Sequence, residues 1–238
     1  MQLKQFKALT FDVVGTLIDY ERGILDYVRK VGGDAAAALS DEQILEAYST
    51  AHNSPGAGKW PSDLERCYHV LAERFGLPDS ELIAKGLPRS IFEWPAFDDS
   101  VAALKRLRRH YTLVATTNAE RWALEIMSNT LGHPFDLTVT VDDVRFEKPD
   151  PQFFAYARGL LAGTKGIRFE QILHVAQSQY HDIGVARRLG YQVCWIERRQ
   201  GKPGPGGEPP TDLTVPDYHY ARLESLADAV EAEYDGRR

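Results

Sequence analysis

The sequence predicts a doubly wound α/β fold: a Rossmann-like parallel sheet with helices on both faces and a helical cap inserted after the first strand. Three observations predict it. Five short, β-branched-rich runs are apolar on both faces, as strands buried inside a parallel sheet are. Helical patterns separate the later runs, which is the alternation that winds such a sheet. Residues 20–95 hold four helical patterns and no convincing strand.

The first run is KALTFDVV (7–14). In the insert, two helix starts carry capping-box signals, Ser40 with Gln43 and Ser62 with Glu65. The insert closes near EWPAF (93–97), where Pro95 breaks the pattern ahead of the helix DDSVAALKRLRRH. The remaining runs are YTLVATTN (111–118), DLTVTVD (136–142), ILHVAQS (172–178) and YQVCWIE (191–197). Between them lie helices over 119–132, 150–163 and 182–190, and Gly132 and Gly190 suit the position just past a helix end. RRQGKPGPGGEPPTD (198–212) reads as a Gly/Pro-rich surface loop. Two units follow, a core of 1–19 with 96–238 and a cap of 20–95. Trp122 and Trp195 are expected in the core.

Composition narrows the partners. With a net charge of −6 there is no basic surplus to displace counterions from a nucleic acid or an anionic membrane. No apolar run approaches the ~20 residues that span a bilayer, and MQLKQFKALTF lacks the apolar segment of a signal peptide. A cytoplasmic protein is expected, with homodimerisation left open. Two cysteines are too few for a disulfide framework, and Cys194 reads as a small buried apolar residue.

Ligands of an open α/β sheet bind at the carboxyl ends of its strands. Polar groups stand there at four places: Asp12 with Thr16, Thr117 with Asn118, Lys148, and Ser178 through Asp182. In order and spacing, DVVGTL, Thr117-Asn118, FEKPDPQFF and HVAQSQYHD resemble the four motifs of the haloacid dehalogenase superfamily, in which a helical cap also follows the first motif. A carboxylate nucleophile needs a cation to hold it ionised, and Lys148 fits. The resemblance makes Asp12 that nucleophile. Thr117, Asn118 and the amides of Val13 and Val14 beside Asp12 are then candidates to hold an anionic substrate group.

The superfamily's phosphatases carry a second aspartate two residues after the first, and a further aspartate in the fourth motif that helps bind Mg²⁺. Here those positions hold Val14 and Ser178. Valine moves no proton and serine is a poor ligand for Mg²⁺. The chain therefore resembles the 2-haloacid dehalogenases, which attack carbon and use no metal or cofactor. That resemblance implies a small anionic organic acid as substrate, an aspartyl ester at Asp12, and hydrolysis by water oriented near Asp182. Thr16 positions the loop. Gln177 and Ser178 line the fourth-motif side, Trp60 either walls the pocket or packs within the cap, and His181 is a neighbour of the site or a surface residue. Departures include Gln177 and Gln179 in the fourth motif, Phe154 after Lys-Pro, and no arginine in EAYSTAHNS to receive a halide. Alternatives on the same machinery are ring opening of azetidine-2-carboxylate, a residual phosphatase, and a non-catalytic binding protein.

Overall fold

The computed structural model describes residues 2–236. Six parallel strands form one sheet: β1 (Ala8–Phe11), β2 (Thr112–Thr117), β3 (Leu137–Thr140), β4 (Ile172–Ala176), β5 (Gln192–Ile196) and β6 (Tyr218–Tyr220). They lie in the order β3-β2-β1-β4-β5-β6. All four residues of β1 are buried, consistent with a central strand covered on both faces. The chain leaves β1 towards β2 on one side and later returns to β4 on the other. The carboxyl end of β1 is therefore the switch point at which such sheets bind ligands.

The insert contains α1 (Tyr20–Ala37), α2 (Asp41–His52), α3 (Leu64–Phe75), α4 (Glu81–Ala84) and α5 (Gly86–Arg89). Then come α6 (Ser100–Leu107), α7 (Arg121–Thr130), α8 (Val141–Val144), α9 (Pro151–Lys165), α10 (Gly184–Arg188) and α11 (Leu223–Tyr234). Two short hydrogen bonds tie the neck of the insert, Asp19 N–H to Pro95 O at 2.9 Å and Phe97 N–H to Leu17 O at 3.0 Å. One apolar cluster runs from Phe11 and Leu113 on the sheet through Leu17 and Ile24 to Tyr68 and Trp94 in the insert, and takes in α6, α7 and α11. A second, with Phe153, Phe154 and Leu161 of α9, covers the opposite face. Gly23 sits directly under Trp94, where a Cβ would lie 2.4 Å from the indole. Among the described residues no helix is long and apolar enough to cross a membrane.

Four sequence expectations are corrected. The sheet has a sixth strand, half-exposed Tyr-His-Tyr at an edge, too short and polar to give a periodic signal. The Ser40–Gln43 capping box forms, but Ser62 does not cap α3; its hydroxyl and backbone N–H both donate to Glu120, and Asp63 takes the N-cap position. Trp122 is 37% exposed at the start of α7, and Trp195 is only half-buried, stacked on His219. Finally, the 198–212 segment is not purely surface, because Gly207 and Glu208 turn inward and line the cavity at the strand ends.

Candidate active site

Asp12 follows β1 directly, and its backbone N–H continues the ladder to Val175 O. The chain then turns sharply: Gly15 adopts a φ of +87°, open to glycine at little cost, and Leu17 and Ile18 N–H both return to Val13 O. The turn brings the Thr16 hydroxyl back to donate to Asp12 Oδ2 at 2.7 Å, while the hydroxyl oxygen itself accepts from Gln177 N–H at 2.8 Å. Thr16 thus couples the first motif to the fourth.

Lys148 reaches the other oxygen. Its Nζ donates to Asp12 Oδ1 (2.9 Å), Asp182 Oδ1 (2.7 Å) and Thr116 O (2.9 Å), which uses all three ammonium protons. Its side chain is 1% exposed. Asn118 fixes the lysine's backbone, accepting from Lys148 N–H at 2.7 Å and donating to Lys148 O at 2.9 Å. Much of the Asn118 amide is thereby committed to placing Lys148. Thr117 is also buried, with its hydroxyl oxygen accepting from Ala119 N–H at 3.2 Å.

Asp182 lies in a π-helical turn, Gln179–Ile183, that opens from β4. Its Oδ1 also meets His174 Nε2 at 2.9 Å, and His174 Nδ1 meets Thr10 Oγ1 at 2.9 Å, a buried chain running back into the sheet. Burial disfavours both carboxylates, with opposite outcomes. At Asp12 burial prevails over Lys148 and raises the carboxyl above its ordinary value, which makes the oxygen more basic. At Asp182, Lys148 and His174 together overcome burial and hold the carboxyl low. The same two anions outweigh burial at Lys148 and keep it an ammonium.

A third group was not legible beforehand. Glu208, from the 198–217 segment, accepts from Ser178 Oγ at 2.5 Å and lies 3.2 Å from His181 Nδ1. Burial opposes charge on both, yet the ion pair prevails: Glu208 is held low and His181 is raised. The insert supplies the roof through Tyr20, Tyr48, His52 and Trp60, with Trp60 Nε1 donating to Tyr48 Oη at 3.2 Å.

These elements enclose a cavity of about 60 Å³. A cavity of that size suits a small ligand. Asp12, Val14, Thr117, Asn118, Lys148 and Ser178 all line it, as does Trp60. Val13 and Gln177 do not line it with their side chains. Val13 is fully buried in the core, which leaves only its backbone for a ligand. The Gln177 side chain borders a neighbouring crevice with Gly15 and Arg198.

The residues present do not fit a divalent cation at Asp12. The space between the two converging carboxylates belongs to the Lys148 ammonium, Val14 carries no side-chain oxygen, and Ser178 gives its proton to Glu208. His52, Asp63 and Cys67 also converge, with ligand atoms within 4.8 Å. There Arg66 already holds Asp63 through two short bonds, 2.7 and 2.6 Å, and supplies the positive charge.

The model of the haloacid dehalogenase-like hydrolases matches residues 6–190. Among characterised proteins, haloacetate dehalogenase H-2 of Moraxella sp. (strain B) is 28% identical over 221 residues, covering 90% of this chain and 95% of its own. (S)-2-haloacid dehalogenase 1 of Pseudomonas sp. (strain CBS-3) is 27% identical over 199 residues, covering 81% and 85%. Among solved structures, the L-2-haloacid dehalogenase PA0810 superposes with a TM-score of 0.76 at 23% identity, covering 95% of this chain and 99% of that one.

Proposed function

The chain belongs to the haloacid dehalogenase-like hydrolases, and from that premise we propose that it is a metal-independent hydrolase that displaces a leaving group from the α-carbon of a small carboxylic acid, most simply a 2-haloacid dehalogenase. The observation that carries the reading is the pair of positions at which the superfamily's phosphatases carry aspartates: Val14, which offers no side-chain oxygen, and Ser178, which donates to Glu208, both lining the cavity with Asp12 and Lys148. Asp12 is then an oriented, desolvated nucleophile with no neighbouring acid, since Val14 replaces one. A halide leaves without a proton and needs none. The dehalogenase relatives support the choice of substrate class, as does a cavity with room for two- or three-carbon acids.

In the first step Asp12 attacks carbon and the halide departs with the bonding pair. In the second, water attacks the Asp12 carbonyl. Asp182 Oδ2, buried without a partner among the described residues, is the free oxygen to orient that water. Lys148 offsets the oxyanion that develops on Asp12. Thr117 Oγ1 and the backbone N–H groups after β1 and β2 receive the substrate carboxylate. The 20–95 insert acts as the cap that closes this chamber.

A single turnover in H₂¹⁸O with enzyme in excess tests the covalent step. Label is expected in the peptide containing Asp12, with the first product unlabelled. Asp12→Asn, freed of deamidated material, is expected to lower kcat by several orders of magnitude. Label in the product with a light peptide would mean that water attacks the substrate directly. Loss of activity in EDTA with rescue by Mg²⁺ would overturn metal independence.

A further inference from the structure

The cavity at the strand ends carries more negative than positive charge. Asp12, Asp182 and Glu208 line it, against Lys148 and His181. With Asp12 ionised, as its attack requires, that is three anions and at most two cations. Lys148 is already shared between Asp12 and Asp182, with all three of its protons used. The insert adds no cation: its titratable contributions are Tyr20, Tyr48 and His52, and burial favours the neutral form of each. A simple acid anion would enter this chamber as a fourth negative charge, in a setting where little water is left to weaken the repulsion.

Glu208 is the anion that the two-step reaction leaves unused. Its Oε2 serves both of its partners, accepting from Ser178 Oγ at 2.5 Å and lying 3.2 Å from His181 Nδ1. Its Oε1 accepts from nothing among the described residues, although the side chain is only 16% exposed and lines the cavity. The backbone beside it is held close to the insert. Gly207 N–H donates to Glu21 Oε1 at 3.2 Å, and a Cβ on Gly207 would lie 2.4 Å from Tyr20 Oη. Once a ligand displaces water from the cavity, the free oxygen needs a donor from the ligand itself, since a desolvated acceptor without one is costly.

The groups that would hold the two polar ends of such a ligand come from different parts of the chain. Thr117 and the N–H groups after β1 and β2 take the substrate carboxylate beside Asp12. Glu208 comes from the 198–217 segment and stands close enough to Tyr20, Tyr48 and His52 of the roof for its charge to act on all three. A hydroxyl would supply the missing donor but leave the surplus of negative charge. An ammonium supplies both: a ligand that carries one beside its carboxylate adds no net charge to the chamber, and its pairing with Glu208 is a charge-assisted hydrogen bond.

We propose that the substrate is a zwitterion, a small 2-substituted acid with an ammonium on the neighbouring carbon, and that Glu208 Oε1 receives this ammonium, which stays on the product. The inference rests on the reading of Asp12 as nucleophile for turnover, though not for binding. With 3-amino-2-chloropropionate, the Asp12 oxygen bonds to C2 as the C–Cl bond breaks with its electron pair going to chlorine. Water then cleaves the ester at the Asp12 carbonyl. The sum converts 3-amino-2-chloropropionate and water into isoserine, chloride and one proton released to solvent, with the ammonium unchanged.

The test has a binding arm and a turnover arm, each run on the wild type and on Glu208→Gln, with a melting curve to check the fold. Calorimetry compares the enantiomers of isoserine and of lactate, two 2-hydroxy acids that differ by the ammonium-bearing group. Chloride release compares 3-amino-2-chloropropionate with 2-chloropropionate against enzyme-free blanks. The wild type is expected to bind isoserine on the order of ten- to a hundredfold more tightly than lactate, the worth of one hydrogen bond between charged groups, and to favour the amino substrate in kcat/KM. Glu208→Gln is expected to erase both preferences. Lactate bound as tightly as isoserine by the wild type, or neither bound, would overturn the inference, and turnover of 2-chloropropionate would then leave the dehalogenase reading standing. A preference for isoserine that survives Glu208→Gln would also overturn it, since Glu208 would then only position His181 and Ser178. Selective binding of isoserine with turnover of neither chloro acid would keep the ammonium site and remove the dehalogenase reading.

Discussion

Lys148→Met is the perturbation that most directly probes the centre of the site. Methionine keeps the length and apolar stem of lysine but removes the charge. The loss is of three short hydrogen bonds at 2.7–2.9 Å and of the cation shared by two carboxylates, in a side chain 1% exposed. Removing one partner of a buried ion pair costs about 3–5 kcal/mol. Two stranded anions would cost more, but a proton can bind one of them, and each pKa unit is about 1.4 kcal/mol. About 3–5 kcal/mol is therefore expected at neutral pH. The pH dependence separates this cause from lost packing. In the wild type the depressed Asp182 contributes stability above its unfolded value, which is lost as pH falls through the folded value. In the variant, burial acts on Asp12 with no lysine to oppose it, so its folded value rises further above the unfolded one, while Asp182 keeps only His174 against burial. The folded variant then binds more protons than the unfolded chain, and its stability falls as pH rises. Urea unfolding of both proteins at about pH 7.5 and about pH 5 should show a deficit that shrinks on acidification. A deficit below about 1 kcal/mol, equal at both pH values, would mean that Lys148 behaves as a surface ion, and the account of the site would fail.

Glu208→Gln removes the anion that holds His181 and Ser178. A raised imidazole contributes stability that is full below its unfolded value and is lost as pH rises through the folded one, so the gap between wild type and variant should close on going alkaline. NMR titration should place the His181 midpoint lower in the variant; an unmoved midpoint would show that Glu208 is not its partner. Gly23→Ala would ordinarily stabilise a helix interior, yet its Cβ meets the Trp94 ring at 2.4 Å. A loss of about 1–3 kcal/mol in thermal melts is expected from overpacking, and a higher Tm would contradict the packing described.

The sheet was legible because buried parallel strands leave an unmistakable local trace: continuous apolar runs, such as LVATT and ILHVA, with turn residues on either side. The floor of the site was legible for a related reason. Asp12, Thr117, Lys148 and Asp182 each end a strand or lie in the segment after one, and the winding of the sheet carries such positions to one edge. Where a group depends on contacts distant in sequence, the trace vanishes. Glu208 lies in a Gly/Pro-rich stretch with no periodicity, and its two partners are 30 and 27 residues away. The only hint was a lone carboxylate in GPGGEPP. Tyr20, Tyr48 and His52 read as ordinary helix residues until the insert folds over the strand ends. Ser62 carried a sound local capping signal, but Glu120, 58 residues on, offers it a charged acceptor. His174 looked like one more strand residue, and only the register of β4 beside β1 sets it between Thr10 and Asp182.

Two of the ion pairs that fasten the helical insert to the core are unequal. On the side of α1, Arg199 pairs with Glu21, whose other oxygen accepts from Gly207 N–H; both charged side chains are nearly buried, at 13% and 12% exposure. On the opposite rim Lys59 pairs with Asp142 at 2.8 Å, but these side chains are 48% and 33% exposed. Dissolved ions screen the second pair and scarcely reach the first. Ionic strength therefore weakens the Lys59–Asp142 pair, which stands beside the open groove of His52, Lys59 and His181, far more than the Arg199–Glu21 pair. Glu21 joins Gly207, next to Glu208, to the Tyr20 end of the roof, so the buried pair ties the cavity-lining loop to the insert at any salt concentration. Salt thus grades the attachment of the insert, taking from its outer rim what it leaves at its inner one.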